Sequence, residues 1–138
     1  MIELNVTMNI AIFDLDDCLI HEGFDPPVVC DETTVVLDYL HSNKVICVLA
    51  SYNNEASRLL QESNLLCYFS HVREDDDAGD AKYQQLTYYR SLFPTATLHF
   101  FDDLPSNIAT ARILGIHSTL VDYRYGIRLQ EVRAVFES

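Results

Sequence analysis

Asn9-Ile10-Ala11-Ile12-Phe13-Asp14-Leu15-Asp16-Asp17 is the stretch on which the fold turns. Apart from Asn9, its first five residues are apolar on both faces. They are too few for a helix and lack the alternation of a half-solvated strand, so they read as a strand buried on both sides of a parallel sheet. Asp14, Asp16 and Asp17 follow at once, at the point where such a strand would end.

The same kind of short apolar run recurs along the chain. Val45–Ala50, Tyr68–Val72, Leu98–Phe101 and Ser118–Val121 read as four further strands. Between them lie segments of helical period. Glu32–Ser42 places Val35, Val36, Tyr39 and Leu40 on one side, and Asn54–Ser63 places Ala56, Leu59 and Leu60 inward behind Asn53 as N-cap. Ala81–Phe93 turns Leu86, Tyr89 and Phe93 inward and stops before Pro94. A fourth helix opens at Pro105 and ends at Gly115, which suits the position just past a helix, and Arg128–Glu137 supplies a last one. Met1–Met8 carries no clear signal, and Leu15–Pro27 reads as a loop.

Strand and helix in strict alternation imply an α/β fold with right-handed crossovers and helices on both faces of the sheet. The length of 138 residues fits one domain, taken as residues 1–138. With 49% hydrophobic residues, the chain has the composition of an ordinary globule. The balance of 9 basic against 21 acidic residues leaves a net charge of −12. A field of that sign repels nucleic-acid backbones and anionic membranes, so neither is an expected partner. Residues 1–43 hold nine acids and no Lys or Arg, which excludes the basic start of a secretory or mitochondrial leader. Cys18, Cys30, Cys47 and Cys67 form no C-x-x-C pair, so they read as reduced structural thiols of a cytoplasmic protein.

In a sheet of this kind ligands bind beyond the carboxyl ends of the strands, so the residues found there matter most. They are Asp14, Asp16 and Asp17 after the first strand, Ser51 after the second, and Asp102 and Asp103 after the fourth. Taken singly, each has an ordinary explanation as a turn cap or a solvated loop acid. Together they put several carboxylates at one end of the sheet, where mutual repulsion raises their pKa values unless a cation intervenes. All-oxygen donors suit Mg²⁺, and Lys82 adds a single positive charge near the start of the third helix.

On these residues the chain resembles a haloacid dehalogenase-superfamily phosphatase. Four motifs stand in order: Asp14-Leu15-Asp16-Asp17-Cys18, then Ser51, then Lys82 in Gly79-Asp80-Ala81-Lys82, then Asp102-Asp103 followed by Leu104-Pro105-Ser106-Asn107-Ile108. Asp25-Pro26-Pro27, the Phe100-Phe101-Asp102-Asp103 block and the overall size are most similar to the small capless magnesium-dependent members. The resemblance implies a three-layer Rossmann-like core. Its five-stranded parallel sheet, numbered along the chain, has the order 3-2-1-4-5. It also implies a Mg²⁺-dependent phosphomonoesterase, with a phosphorylated small molecule or phosphoprotein as substrate. Asp14 would be the nucleophile, Asp16 the acid and base, and Ser51 and Lys82 the partners of the phosphoryl group. Asp14, Asp16 (through its carbonyl), Asp102 and Asp103 would surround the metal, with Asp103 the direct ligand of its pair.

There are departures from the family pattern. Cys18 stands where Thr or Val is usual, Asn107 where many relatives carry an acid, and Tyr52-Asn53 follow Ser51 in place of Arg-Thr. The spacings from Asp14 to Ser51 and from Ser51 to Lys82 are used up by the elements already assigned, which leaves no room for a cap. Leu15–Pro27, with His21, Phe24 and Asp25, is then the segment placed to meet a leaving group. Glu74-Asp75-Asp76-Asp77 reads as a solvated loop, and the five histidines show no metal-ligand spacing. The competing readings are a phospholigand-binding protein of weak activity and a signalling receiver domain. The latter needs a phosphoacceptor Asp at the end of a central third strand, and His71 lies near that place.

Overall fold

A computed structural model describes residues 7–75 and 81–137. In chain order the elements are β1 (Asn9–Phe13), β2 (Ile20–His21), β3 (Val28–Val29), α1 (Thr33–Ser42), β4 (Ile46–Ser51), α2 (Ala56–Glu62), a short 3-10 turn (Leu66–Tyr68) and β5 (Phe69–Glu74). They continue with α3 (Ala81–Leu92), β6 (Thr97–Asp102), α4 (Pro105–Ile113), β7 (His117–Leu120) and α5 (Leu129–Phe136).

Five strands form one parallel sheet in the order β5-β4-β1-β6-β7. Numbered as sheet strands along the chain, that order is 3-2-1-4-5, as the resemblance implies. The third strand, β5, is an edge and ends at Glu74, which removes the central phosphoacceptor that a receiver domain needs. β1 lies in the middle and is the most deeply enclosed: Ile10, Ala11, Ile12 and Phe13 are all buried.

Side chains of the central strands divide between two apolar layers. Ala11 and Phe13 join Leu15, Val36, Leu37, Leu40, Leu49, Leu60 and Phe101 on one face. Ile10 and Ile12 join Val48, Leu86, Tyr89, Phe100, Ile108 and Ala111 on the other. This is the two-face burial that a short, unalternating apolar run predicts.

The sequence reading needs correction in four places. α1 buries Thr33, Val36, Leu37 and Leu40 while Val35 is half exposed, so the inward stripe is rotated by about one position. The N-cap of α2 is Glu55, not Asn53; Asn53 Oδ1 instead accepts the Glu55 N–H at 2.9 Å, closing the turn before the helix. Leu15–Pro27 is not all loop, because β2 and β3 pair antiparallel through Ile20–Val29 and His21–Val28. β4 and β6 also run one residue further than expected, to Ser51 and Asp102, and β5 two further, to Glu74. Glu74 reads from the sequence as solvated loop and instead ends the strand with its carboxylate bonded to Ser57. Each extension holds a polar side chain at the strand's end by sheet bonding. Asp76 and Asp77 of the acidic run, Gly79 and Asp80 before Lys82, and residues 1–6 lie outside the described residues. Among the described residues neither insertion point for a cap holds a further folded unit.

The chain's last segment closes onto its first. Ile127 N–H donates to the Cys18 carbonyl at 2.7 Å, Leu129 N–H to Glu32 Oε1 at 3.1 Å, and Tyr39 Oη to Glu137 Oε2 at 2.8 Å. At this seam Gly126 has φ +74, and a Cβ there would sit 2.4 Å from Cys30 Sγ and 2.8 Å from the Cys18 carbonyl oxygen. Gly115 has nearly the same φ, +73, with open space around it. The two positions separate crowding from backbone strain. Gly115→Ala should cost about 1 kcal/mol, the left-handed penalty alone. Gly126→Ala should cost at least about 2 kcal/mol more through forced displacement of packed atoms. Urea melts of both variants measure the difference; equal losses would show that the seam is loosely packed.

Candidate active site

Parallel pairing aligns the carboxyl ends of β1, β4 and β6. Phe13 lies opposite both Leu49 and Phe101, and the Asp14 N–H donates to the Phe101 carbonyl at 3.0 Å. Asp14 therefore leaves β1 beside the end of β6, where Asp102 is still in the strand. Oxygens of Asp14, Asp102 and Asp103 all lie within 4.8 Å of one another. Asp14 and Asp102 are buried and Asp103 is half-buried.

Lys82 enters this group from the first turn of α3 and is itself buried. Its Nζ donates to the Ala50 carbonyl at 2.6 Å and lies 3.5 Å from Asp14 Oδ1 and 3.7 Å from Asp102 Oδ2. The ammonium also rests 4.6 Å from the centre of the Tyr52 ring. One cation cannot neutralise three carboxylates. Burial raises Asp14 well above the usual carboxylate range, Lys82 opposes this, and Asp102 and Asp103 reinforce it. Burial and the neighbouring Asp102 push Asp103 up to about 6. With all three acids ionised, two negative charges remain. A donor set of hard oxygens with that deficit fits a divalent cation such as Mg²⁺.

The other expected residues stand around this core. Ser51 is buried; its Oγ accepts the Asn53 N–H at 2.9 Å, which leaves the hydroxyl proton to donate elsewhere. The Ser51 carbonyl accepts Gln85 Nε2 at 2.7 Å and the Asp75 N–H at 3.1 Å, fixing the end of β4. The Asp16 carboxylate is outside the trio of oxygens and accepts Asn53 Nδ2 at 3.2 Å. Burial raises Asp16, and the Asn53 hydrogen bond works against the rise. Asp17, at φ 57, turns back so that its Oδ1 accepts the Glu22 N–H at 3.0 Å. Cys18 is fully enclosed, and burial raises its thiol well above the ordinary value, as a structural role requires.

Sequence reasoning did not assign roles to Tyr52, Asn107 and Gln85. Asp102 Oδ1 accepts the Leu104 N–H at 2.8 Å and its Oδ2 accepts Asn107 Nδ2 at 2.9 Å. Asn107 Oδ1 in turn accepts the Tyr52 hydroxyl at 3.2 Å. The two departures from the family pattern after Ser51 and after Asp103 are thus bonded to each other. That pairing joins the ends of β4 and β6, and a contact across 55 positions leaves no trace in local sequence.

No family model matches the sequence, and no curated protein matches it. Solved structures do match its fold. One is a protein from Clostridium difficile assigned as a phosphatase, with TM-score 0.74 and 15% identity over 93% of this chain and 92% of that one. A second is a haloacid dehalogenase-like hydrolase from Streptococcus pneumoniae, with TM-score 0.70 and 9% identity over 91% of each chain. This chain has the haloacid dehalogenase fold. A third structure, a haloacid dehalogenase-superfamily hydrolase of subfamily IA from Geobacter sulfurreducens, has TM-score 0.69 and 11% identity, covering 83% of this chain and 90% of that one. The carboxylate trio thus stands at the end of the sheet where the strands of an open α/β fold present ligands.

The charge deficit gives a test with a definite sign. Asp14 and Asp103 are raised in the folded protein, so between about pH 4 and about pH 6 the metal-free folded state holds protons that the unfolded chain has released. Metal-free stability therefore falls as pH rises through that window. Mg²⁺ should reverse the trend by taking the place of the protons, adding about 2.7 kcal/mol at a hundredfold excess over its Kd near neutral pH and much less near pH 5. Thermal melts with and without Mg²⁺ at both pH values check this. Asp103→Asn should stabilise the metal-free protein and shrink the Mg²⁺ increment. An increment independent of pH, or none, would contradict a metal site here.

Proposed function

We propose that this protein is a Mg²⁺-dependent phosphomonoesterase of the haloacid dehalogenase superfamily, acting through a covalent aspartyl-phosphate on Asp14. The observation that carries the reading is the position of Asp14: at the end of the central strand, within 4.8 Å of two other carboxylates and 3.5 Å from a buried ammonium. The names borne by structures of the same fold, a phosphatase and hydrolases among them, support it. Asp14, Asp103 and the Asp16 carbonyl would hold Mg²⁺, and Asp102, already bonded to Leu104 and Asn107, would orient the ligands. Bound there, the cation would screen the nucleophile from the phosphate charge and polarise the phosphoryl oxygens.

The chain's own groups then divide the work. A carboxylate oxygen of Asp14 forms a bond to phosphorus as the bond from phosphorus to the ester oxygen breaks. Asp16, whose raised pKa favours the protonated form, gives its proton to the departing alkoxide. The resulting carboxylate takes a proton from water as the water oxygen bonds to phosphorus and the bond from phosphorus to the Asp14 oxygen breaks. Inorganic phosphate leaves and Asp14 returns to its starting form. The Ser51 hydroxyl donates to a phosphoryl oxygen, and Lys82 offsets charge shared by that group and Asp14. Tyr52 and Asn107 hold Asp102 in place and are positioning residues.

Purified protein with Mg²⁺ should hydrolyse an aryl phosphate and lose that activity to EDTA. Asp14→Asn should abolish turnover while folding persists, because a neutral amide relieves the repulsion within the trio. Asp16→Asn should slow an alkyl phosphate by about 100-fold or more and an aryl phosphate far less, since a phenolate leaves without a proton. Full activity in Asp14→Asn would sink the assignment. Equal losses for the two ester types in Asp16→Asn would remove the acid role.

A further inference from the structure

The departing alcohol must lie within hydrogen-bond reach of Asp16, so the ground beside that carboxylate receives whatever the phosphate is attached to. There the chain forms a groove of about 360 Å³ with Asp16 in its wall. One side is the β2–β3 hairpin, with Ile20, His21, Glu22, Phe24 and Asp25; the other is the start of α2, with Asn53, Glu55, Arg58 and Leu59. The hairpin side is the segment that sequence reading took for a loop.

The groove's charge is one-sided. Asp16, Glu22, Asp25 and Glu55 line it, against Arg58 and the imidazole of His21. That guanidinium is already engaged: its Nη2 lies 3.1 Å from Glu55 and its Nη1 2.9 Å from Glu62. An ionised Asp16, with some burial and Asp17, raises Glu22 above its ordinary value, in keeping with the acids gathered on this side. A second carboxylate or phosphate on the leaving group would meet this excess of acids, with Arg58 already engaged and the His21 imidazole alone to offset it. Phe24, also in the lining, is more than half exposed and packs in a T-shaped arrangement with His21, which leaves aromatic surface open to the groove. An ammonium is attracted both by the acids and by an aromatic face.

Resting on the phosphatase reading, we infer that the substrates are small phosphomonoesters whose alcohol carries a protonated amine or quaternary ammonium, held between Glu22, Asp25 and the Phe24 ring. The phosphate goes to the Asp14 site and the cation to the groove. The preference is electrostatic, so it weakens as salt shortens the reach of charge.

The test compares kcat/KM, with Mg²⁺, for 2-aminoethyl phosphate, choline phosphate, propyl phosphate and 2-carboxyethyl phosphate, with an aryl phosphate as reference. The cationic esters should exceed propyl phosphate by about tenfold, equivalent to about 1.4 kcal/mol, with the carboxylate ester poorest. Raising ionic strength from about 0.01 M to about 0.15 M cuts the screening length from about 30 Å to about 8 Å and should shrink the ratio severalfold. Glu22→Gln combined with Asp25→Asn, both at exposed positions, should lower the cationic-to-neutral ratio to within about threefold. Hydrolysis of the aryl phosphate with no charge preference, or with preference for the anionic ester, overturns the inference and leaves the phosphatase standing. Failure to hydrolyse any ester, the aryl phosphate included, overturns both.

Discussion

Three carboxylates forced together where two strands end repel one another, and the surrounding structure serves to hold them against that repulsion. Parallel pairing of β1 with β6 sets Asp14 beside Asp102, and neither can retreat because each is anchored by sheet bonds from its own backbone. Lys82, drawn out of water between them, reduces the strain without removing it. A buried cation among buried anions is costly to assemble and more costly to break, so the cluster contributes little net stability while tolerating little change. The deficit of charge that remains is compatible with a divalent ion.

Around that centre the rest of the site is positioned by hydrogen bonds that run between elements. Asn53 bonds Asp16, Asn107 bonds Asp102, and Tyr52 bonds Asn107 while its ring lies against Lys82. The two residues after Ser51 thus attach the end of β4 to both acidic motifs. A substitution pattern that looks like a departure from a family is, in space, one connected set. Replacing a single member would take a hydrogen bond from its neighbour, at a buried place for Asp102 and Asn107 and a half-buried one for Asp16 and Asn53.

Much of this was legible along the chain, and the reason is the shortness of the signals. A strand buried on two faces needs only a run of apolar residues, and the acids that end Asn9–Phe13 and Thr97–Asp102 stand beside their strands in sequence as they do in space. Lys82 could be singled out because lysines are so scarce in this chain. What could not be read depended on pairing between distant or very short segments. Two-residue strands such as Ile20–His21 and Val28–Val29 have no periodicity to detect. The turn of α1 that buries Leu37 and exposes Val35 is set by how the helix lies on the sheet, since both side chains are equally apolar. The Tyr52–Asn107 bond spans two crossovers and exists only once the strands are in register.

The seam at Gly126 bears on how the protein comes into being. The loop bearing Asp16 and Asp17 is held from behind by Ile127, whose amide reaches the Cys18 carbonyl, and Cys18 lies one residue past those acids. During synthesis the first strand leaves the ribosome long before that support exists, and the sheet can gather its first members while the loop is still unbraced. Only when the region beyond β7 has emerged can the backbone behind Asp16 be locked. In such a chain the loop behind Asp16 and Asp17 gains its last brace only near the end of synthesis.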